Sequence, residues 1–412
     1  MSSLAMGVTR LASLSFVALA SCGAPAVSPP ARPPAEDAGV NAEAVAVAPD
    51  PTGFRVTGAM HHARRAHTST VLNDGRVLVV GGEAGDDLHM LDSAEVFDPS
   101  TEKWTELPRL PAARSNHSAT LLKDGRVLIA GGGKSSIIGE PSGEAAISSA
   151  LLFDPSTDTF SETGPLTSAR SSHGAARLAD GRVVVVGGGG ADVMGPCPPQ
   201  YPSCFIAKPI ASAEIYDPAT DRWSALAPLS EARHSFALVP LASGAILAAA
   251  GAKDGGGGTA TTELFDPATL SWSAGPKLSV DRLHPSVTRL GDGRILIAAG
   301  KKANIGPLDT AEIFSDGAWS PAAKLQGARN GAILVTLSSG NALIVGGFDQ
   351  IQQKILDAAA IYDVPSASWR SIRPLVGERS LHTAVTLRDG RVLVCGGAVD
   401  VGAELKTCTI SE

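Results

Sequence analysis

The stretch running from His117 to Gly132, HSATLLKDGRVLIAGG, decides the fold. An apolar run from His117 to Leu122 leads into Asp124-Gly125, then Arg-Val-Leu-Ile-Ala, then a glycine pair. Asp-Gly between two β-rich runs predicts a two-residue hairpin turn with positive φ at both central residues. The pair Gly131-Gly132 predicts the end of the second strand, where the backbone bends or passes a neighbour too closely for a side chain.

The same grammar recurs along the chain. Asp-Gly stands at 74–75, 180–181, 292–293 and 389–390, and Ser243-Gly244 and Ser339-Gly340 take its place in two further units. Six residues beyond each of these glycines come Gly81-Gly82, Gly187-Gly188, Gly346-Gly347 and Gly396-Gly397, relaxed to Ala250-Gly251 and Ala299-Gly300 in two units. An aromatic residue is followed ten positions later by arginine seven times: Phe54/Arg64, Trp104/Arg114, Phe160/Arg170, Trp223/Arg233, Trp272/Arg282, Trp319/Arg329 and Trp369/Arg379. The arginines are spaced by 47 to 63 residues. A period near ~50 marks an array of units that bury their faces only against one another. A third strand ends in Asp-Pro turns such as Asp98-Pro99, Asp154-Pro155, Asp217-Pro218 and Asp266-Pro267, and a fourth carries the tryptophan or phenylalanine. Four antiparallel strands in each of seven units predict an all-β, seven-bladed propeller.

This pattern resembles the kelch repeat, whose hallmarks are the double glycine, an aromatic before a turn and a later tryptophan. The resemblance covers residues 54 to 412. Departures are Phe54 and Phe160 in place of Trp, Phe314-Ser315-Asp316 in the fifth unit and Tyr362-Asp363-Val364-Pro365 in the sixth. Phe54 to Met60 has no unit before it, and the chain reaches Glu412 after a third strand. The last blade is therefore expected to combine C-terminal strands with the N-terminal one, which removes open edges.

The first fifty residues read as export sequence. Arg10 precedes an apolar stretch, Leu11 to Ala20, too short for a spanning helix. Leu19-Ala20-Ser21-Cys22 resembles a bacterial lipobox, which implies cleavage before Cys22 and lipid on that cysteine. An ordinary secretory signal is the alternative; the small residues before Cys22 favour the lipoprotein. Expected organisation is a signal peptide over 1–21, a Pro/Ala-rich tether over 22–50 and the propeller over 51–412. Gly23 after the cysteine favours the outer membrane of a bacterial envelope.

Of the remaining cysteines, Cys197 and Cys204 close a Pro-rich loop and are expected to be bridged. Cys395 and Cys408, on neighbouring antiparallel strands, are expected to staple the closing blade. Metal ligation by either pair is the weaker reading, because no histidine has ligand spacing. No metal and no cofactor is expected.

Function is sought in what departs from the repeat. The connection after the glycine pair lengthens to residues 133–149 in the second unit and 189–212 in the third, adjacent loops on one face. Tyr201, Phe205 and Phe348 are the aromatic residues in such loops and are candidate binding residues. Covering the loop's own small core is the favoured of the two readings. Arg114 and Arg170 are further binding candidates as part of a cationic funnel, although a uniform arginine better suits a pair with a neighbouring blade's acid such as the third-strand Glu95, Glu214, Glu263 or Glu312. His67, His117, His173 and His382 stand three residues after the repeat arginine and read as devices between blades rather than ligands.

A net charge of −7 with no basic run excludes nucleic acid as a partner. Two enzyme classes share the kelch-like fold. Copper radical oxidases need two tyrosines, a cysteine and two histidines, and here Tyr216 and Tyr362 hold repeat positions. Sialic acid mutarotases need unique polar residues converging on the axis, and the sequence offers only repeat positions for that role. The expectation is a monomeric, lipid-anchored, non-catalytic module that binds a protein or a cell-envelope glycan through the long-loop face.

Overall fold

The structure, a computed structural model, describes residues 48–85, 89–133, 146–195, 204–400 and 403–412, with only the backbone at 191–195 and 204–207. Among them, seven four-stranded antiparallel sheets stand around one axis, each an up-and-down meander labelled a to d from the axis outward. In blade 1 these are Thr68–Val71, Val77–Val80, Ala94–Asp98 and Lys103–Glu106. In blade 2 they are Ser118–Leu121, Val127–Ala130, Ala150–Asp154 and Thr159–Thr163. The seven a strands neighbour one another in an unbroken ring.

Every b strand is buried along its whole length, because a propeller sheet is covered on both faces by its neighbours. Alternation sorts the side chains. Leu78 and Val80 pack against Val127, Ile129 and Phe153 of blade 2, whereas Val77 and Val79 pack against Leu393 and Ile410 of blade 7. Opposite each other on strands c and d lie aromatic pairs such as Phe97–Trp104, with ring centroids 5.0 Å apart.

Blade 7 is built from both ends of the chain: Thr383–Thr386, Val392–Cys395, Cys408–Ser411 and then Phe54–Val56 as strand d. Phe54 pairs with Ser411 and Val56 with Thr409. The fastening begins earlier than residue 51, since Asp50 accepts hydrogen bonds from Asn341 Nδ2 (2.7 Å) and Arg370 Nη2 (2.8 Å) of blade 6. A disulfide joins Cys395 to Cys408 across strands b and c. The Cys197 to Cys204 bridge falls outside the described side chains.

The a–b turn differs from the expected two-residue form. Leu72 and Arg76 flank three residues, Gly75 N–H donates to the Leu72 carbonyl (3.1 Å), and of Asp74 and Gly75 only the glycine has positive φ (92°). This is a type I turn followed by a left-handed residue, so the aspartate is not there to adopt positive φ; instead its Oδ1 accepts the Arg76 N–H at 3.0 Å. A hydroxyl can do the same, which explains Ser243 and Ser339 at this position. The two-residue form with both φ positive occurs instead in blade 5, between strand c (Ala311–Ser315) and strand d (Ala318–Ala322), at Asp316 (50°) and Gly317 (77°).

These connections give the disc two unlike faces. The a–b and c–d turns lie on one, the turn face; the b–c connections and the links to the next blade lie on the other, the loop face. Residues 48–53 run along the turn face, where Ser338 Oγ bonds the Ala48 carbonyl.

Candidate functional site

The repeat arginines are structural clasps between blades. Arg64 is fully buried and donates to the carbonyls of Gly81 (2.6 Å) and Ser93 (3.1 Å) and to Glu95 Oε1 (2.8 Å). The next arginine completes the clasp through its backbone, its Arg114 carbonyl accepting the Gly82 N–H at 2.9 Å. Both glycines of the pair have positive φ, and a Cβ on Gly81 would sit 2.3 Å from that same carbonyl oxygen. Ala250 and Ala299 nonetheless hold the first position at φ 62° and 59°.

Arg114 and Arg170, named above as binding candidates, therefore face no solvent. Arg114 holds the carbonyls of Gly131 (3.1 Å) and Ser149 (3.2 Å), and Arg170 those of Gly187 (2.7 Å) and Ser212 (2.9 Å). The acid expected beside each arginine is present in four blades: Glu95, Glu214, Glu263 and Glu312 lie 2.8 to 3.2 Å from Arg64, Arg170, Arg233 and Arg282. Each glutamate also accepts backbone N–H groups of the connecting loop, as Glu95 does from His61 (2.7 Å) and His62 (3.1 Å). Leu151, Ala360 and Thr409 take the position in blades 2, 6 and 7. Burial alone pushes Arg114 and Arg379 down to about 10, which leaves them charged at neutral pH.

The histidines join blades as well. His67, His117 and His173 place Nε2 at 3.0, 2.9 and 2.8 Å from hydroxyls of Thr383, Thr68 and Ser118, each at the start of strand a in the preceding blade. Blade 3 has Gly174 there, and Phe236 of blade 4 packs against it. Burial pushes all of these histidines down, His173 and His382 to about 3, so they stay neutral. Among the described residues no three His, Cys, Asp or Glu side chains gather as a metal set. Tyr216 and Tyr362 are buried against Trp223 and Trp369, and the Tyr216 hydroxyl donates to Asp221 (2.7 Å).

The loop face carries what the repeat does not explain. Around the axis, the residues two beyond successive arginines are linked by backbone hydrogen bonds, Asn116 N to Ala66 O (3.1 Å), Ser172 N to Asn116 O (2.8 Å) and Ser235 N to Ser172 O (2.9 Å). Beside this rim lies a buried charge cluster drawn from three blades. Arg65 Nε approaches Glu83 Oε1 (3.4 Å) and Glu404 Oε1 (3.7 Å), all at most 2% exposed, and Ser115 Oγ lies 3.3 Å from Glu83 Oε2. Unique polar residues thus do converge near the axis, contrary to the sequence expectation. Arg65 hid beside the repeat arginine, although its position is Ser115, Ser171, His234, Leu283, Asn330 or Ser380 in other blades.

Farther out, the third-unit insertion is an antiparallel ribbon, Gly189–Gly195 against Cys204–Pro209. Phe205 belongs to its backbone, Tyr201 lies outside the described residues, and Phe348 is half-buried on a short ribbon of blade 6. Ribbons in blades 5 and 6 end in Ile305 and Ile351, 65% and 73% exposed.

Residues 64–111 match the family described as Kelch motif. A solved structure titled "Novel fungal alcohol oxidase with catalytic diversity among the AA5 family, in complex with copper" superposes with a TM-score of 0.69 at 14% identity, covering 88% of this chain and 76% of that one. One titled "Structure of YjhT" gives 0.56 at 14% identity, covering 76% of this chain and 98% of that one. No curated protein matches by sequence. The fold is thus a seven-bladed β-propeller that carries a kelch motif at residues 64–111, and five of its seven clasped units keep the double glycine.

Proposed function

We propose that the propeller is a non-catalytic binding module, held by lipid on Cys22 at a bacterial outer membrane, that takes a protein or a cell-envelope glycan on its loop face. One observation carries this reading: the two faces differ in kind. The turn face repeats the same capped turns and receives residues 48–53, whereas the loop face gathers the ribbon of blade 3, the Arg65 cluster and the exposed isoleucines. A tether leaving the turn face would present the loop face away from the membrane.

The copper of the fungal enzyme does not suit the described residues. A copper radical site wants tyrosine and histidine together, but Tyr216 and Tyr362 are locked in the aromatic pairs, and buried His67, His117 and His173 are turned to hydroxyls of neighbouring blades. A sugar-active reading draws instead on the Arg65, Glu83 and Glu404 cluster, whose side chains are at most 2% exposed and would have to be uncovered before they met sugar hydroxyls.

The test is to crosslink residues 48–412 to cell-envelope extract beside a folded variant in which the ribbon between 189 and 209 is cut to a turn. A partner held by the intact face and lost by the variant supports the module. Turnover of a sugar panel, abolished by Glu404→Gln, would replace it with the enzyme reading.

A further inference from the structure

We propose that the docking edge of the loop face is the pair of ribbon tips on blades 5 and 6, and that its occupant is a segment of a partner protein in which a carboxylate adjoins a branched apolar side chain. This rests on the reading of the loop face as the recognition surface and locates the contact within it.

The four large apolar side chains most exposed among the described residues are Val56, Ile305, Ile351 and Val376, and the two most exposed sit together here. Ile305 tops the ribbon Lys301–Lys302 with Gly306–Pro307; Ile351 follows Phe348–Asp349, which pairs with Lys354–Ile355. The ribbons touch, since a Cβ on Gly306 would lie 3.8 Å from Ile351 Cγ1. The Ile351 tip is held in shape by Asp349, whose Oδ1 accepts the N–H groups of Ile351 (2.9 Å) and Gln352 (3.1 Å). A fixed tip loses little entropy when it is covered, which suits an anchor.

Between the tips lies a recess of about 300 Å³ lined by Lys301, Lys302, Ile305, Pro307, Gln350 and Ile351. Its charge is cationic. Lys302 already pairs with Asp281 at 3.1 Å, while Lys301 is half-buried, and that burial pulls its ammonium below the usual lysine range. Lys354 is exposed on the second ribbon, opposite Asp349 next to the tip. An incoming carboxylate would meet Lys301 inside the recess as its apolar neighbour covered the two isoleucines, the arrangement of a desolvated anchor within a polar rim. An anionic membrane would also meet lysines and isoleucines, but it would lie across the tips and would not need a recess between them.

The test pans a random-peptide phage library on immobilised 48–412 and compares enriched clones on Ile305→Ser/Ile351→Ser and on Lys301→Gln, each first checked for an unchanged melting temperature. Expected clones carry Asp or Glu beside Ile, Leu or Val, lose at least about tenfold in affinity on the double variant, and weaken with salt on the wild type more than on Lys301→Gln. Enrichment without acidic residues, or equal binding to both isoleucine forms, overturns the proposal, as does flotation with phosphatidylglycerol vesicles that needs the same isoleucines. Envelope capture that survives the double variant would sink this inference and leave the loop-face reading standing.

Discussion

Blades 1 and 2 place the same arginine in the same buried position and surround it differently. Arg64 meets Glu95, which also caps His61 and His62 N–H groups; Arg114 has only carbonyls and a serine hydroxyl, because Leu151 stands where the acid would be. The loops of these two blades differ in step. Three residues before Arg64 is His61, with an N–H for the glutamate; three before Arg114 is Pro111, which has none. Thr167, Ser230 and Ser279 hold that place in the other three blades with a glutamate, and each donates to it at 2.7 or 2.8 Å. The carboxylate serves loop and arginine together; blade 2 lacks both the acid and this donor, whereas blades 6 and 7 lack the acid although Gln326 and Val376 carry an N–H at that place.

Replacing the arginines should break this comparison most strongly. Arg64→Met strands Glu95, buried, without its cation, and should cost about 3–5 kcal/mol. Arg114→Met removes hydrogen bonds but also an unpaired buried charge, and should cost about 1–3 kcal/mol. Thermal melts of the two variants side by side decide it; equal losses would mean that the glutamate adds nothing to the clasp.

Blade 7 also lacks the acid, with Thr409 at the position, and it alone among the described blades carries a disulfide, across its strands b and c. Removing the bridge by Cys395→Ala/Cys408→Ala should cost about 3 kcal/mol, the value for a short closed loop. Urea midpoints with and without the bridge measure it, and a loss well under 1 kcal/mol would leave strand d and Asp50 as the fastening.

The histidine contacts set a third contrast, between blades 2 and 3 with their histidines and blade 4 with Phe236. Burial holds His173 neutral down to about 3, whereas the unfolded chain protonates near 6.5. The unfolded state therefore binds more protons in that window, so the stabilisation is complete above 6.5 and is lost as pH falls, by about 2 kcal/mol at about pH 5. The pair His173→Phe/Ser118→Gly imports the packing of Phe236 on Gly174 and should flatten the loss of melting temperature between neutral and mildly acid pH. An unchanged slope would assign acid sensitivity elsewhere.

Blade number, strand order and closure could be read from the chain because each unit repeats the same buried strand and the same clasp, and a period survives any single substitution. The turn type could not, since Asp74-Gly75 fits two hairpin geometries, and they differ in whether the residue before the pair, Asn73, belongs to the turn or to the strand. Arg65 and Glu404 are 339 positions apart in the numbering and meet only because the ring closes. Ile305 and Ile351 each look like one apolar residue in a polar loop; their pairing needs adjacent blades. The arginines were legible as repeat positions, yet their burial, which removes Arg114 and Arg170 from any outer surface, depends on the carbonyls that the positive-φ glycines turn toward them.

The finest version of the comparison installs the missing acid. Leu151→Glu gives up an apolar contact with blade 1 worth about 2 kcal/mol and gains a charge-assisted pair with Arg114 of about the same size, so the melting temperature at neutral pH should move little. Below about pH 4.5 the added carboxyl should become a liability, because the Glu95 type of site holds its group below that value only through the donors around it: burial pushes the carboxyl up, and the His61 N–H and Arg64 more than offset the burial. Pro111 withholds one of those donors in blade 2. Adding Pro111→Ser to Leu151→Glu should therefore recover about 1 kcal/mol beyond the sum of the single changes, and a double-mutant cycle of melts that closes to zero would show that the glutamate answers to the arginine alone and not to the loop.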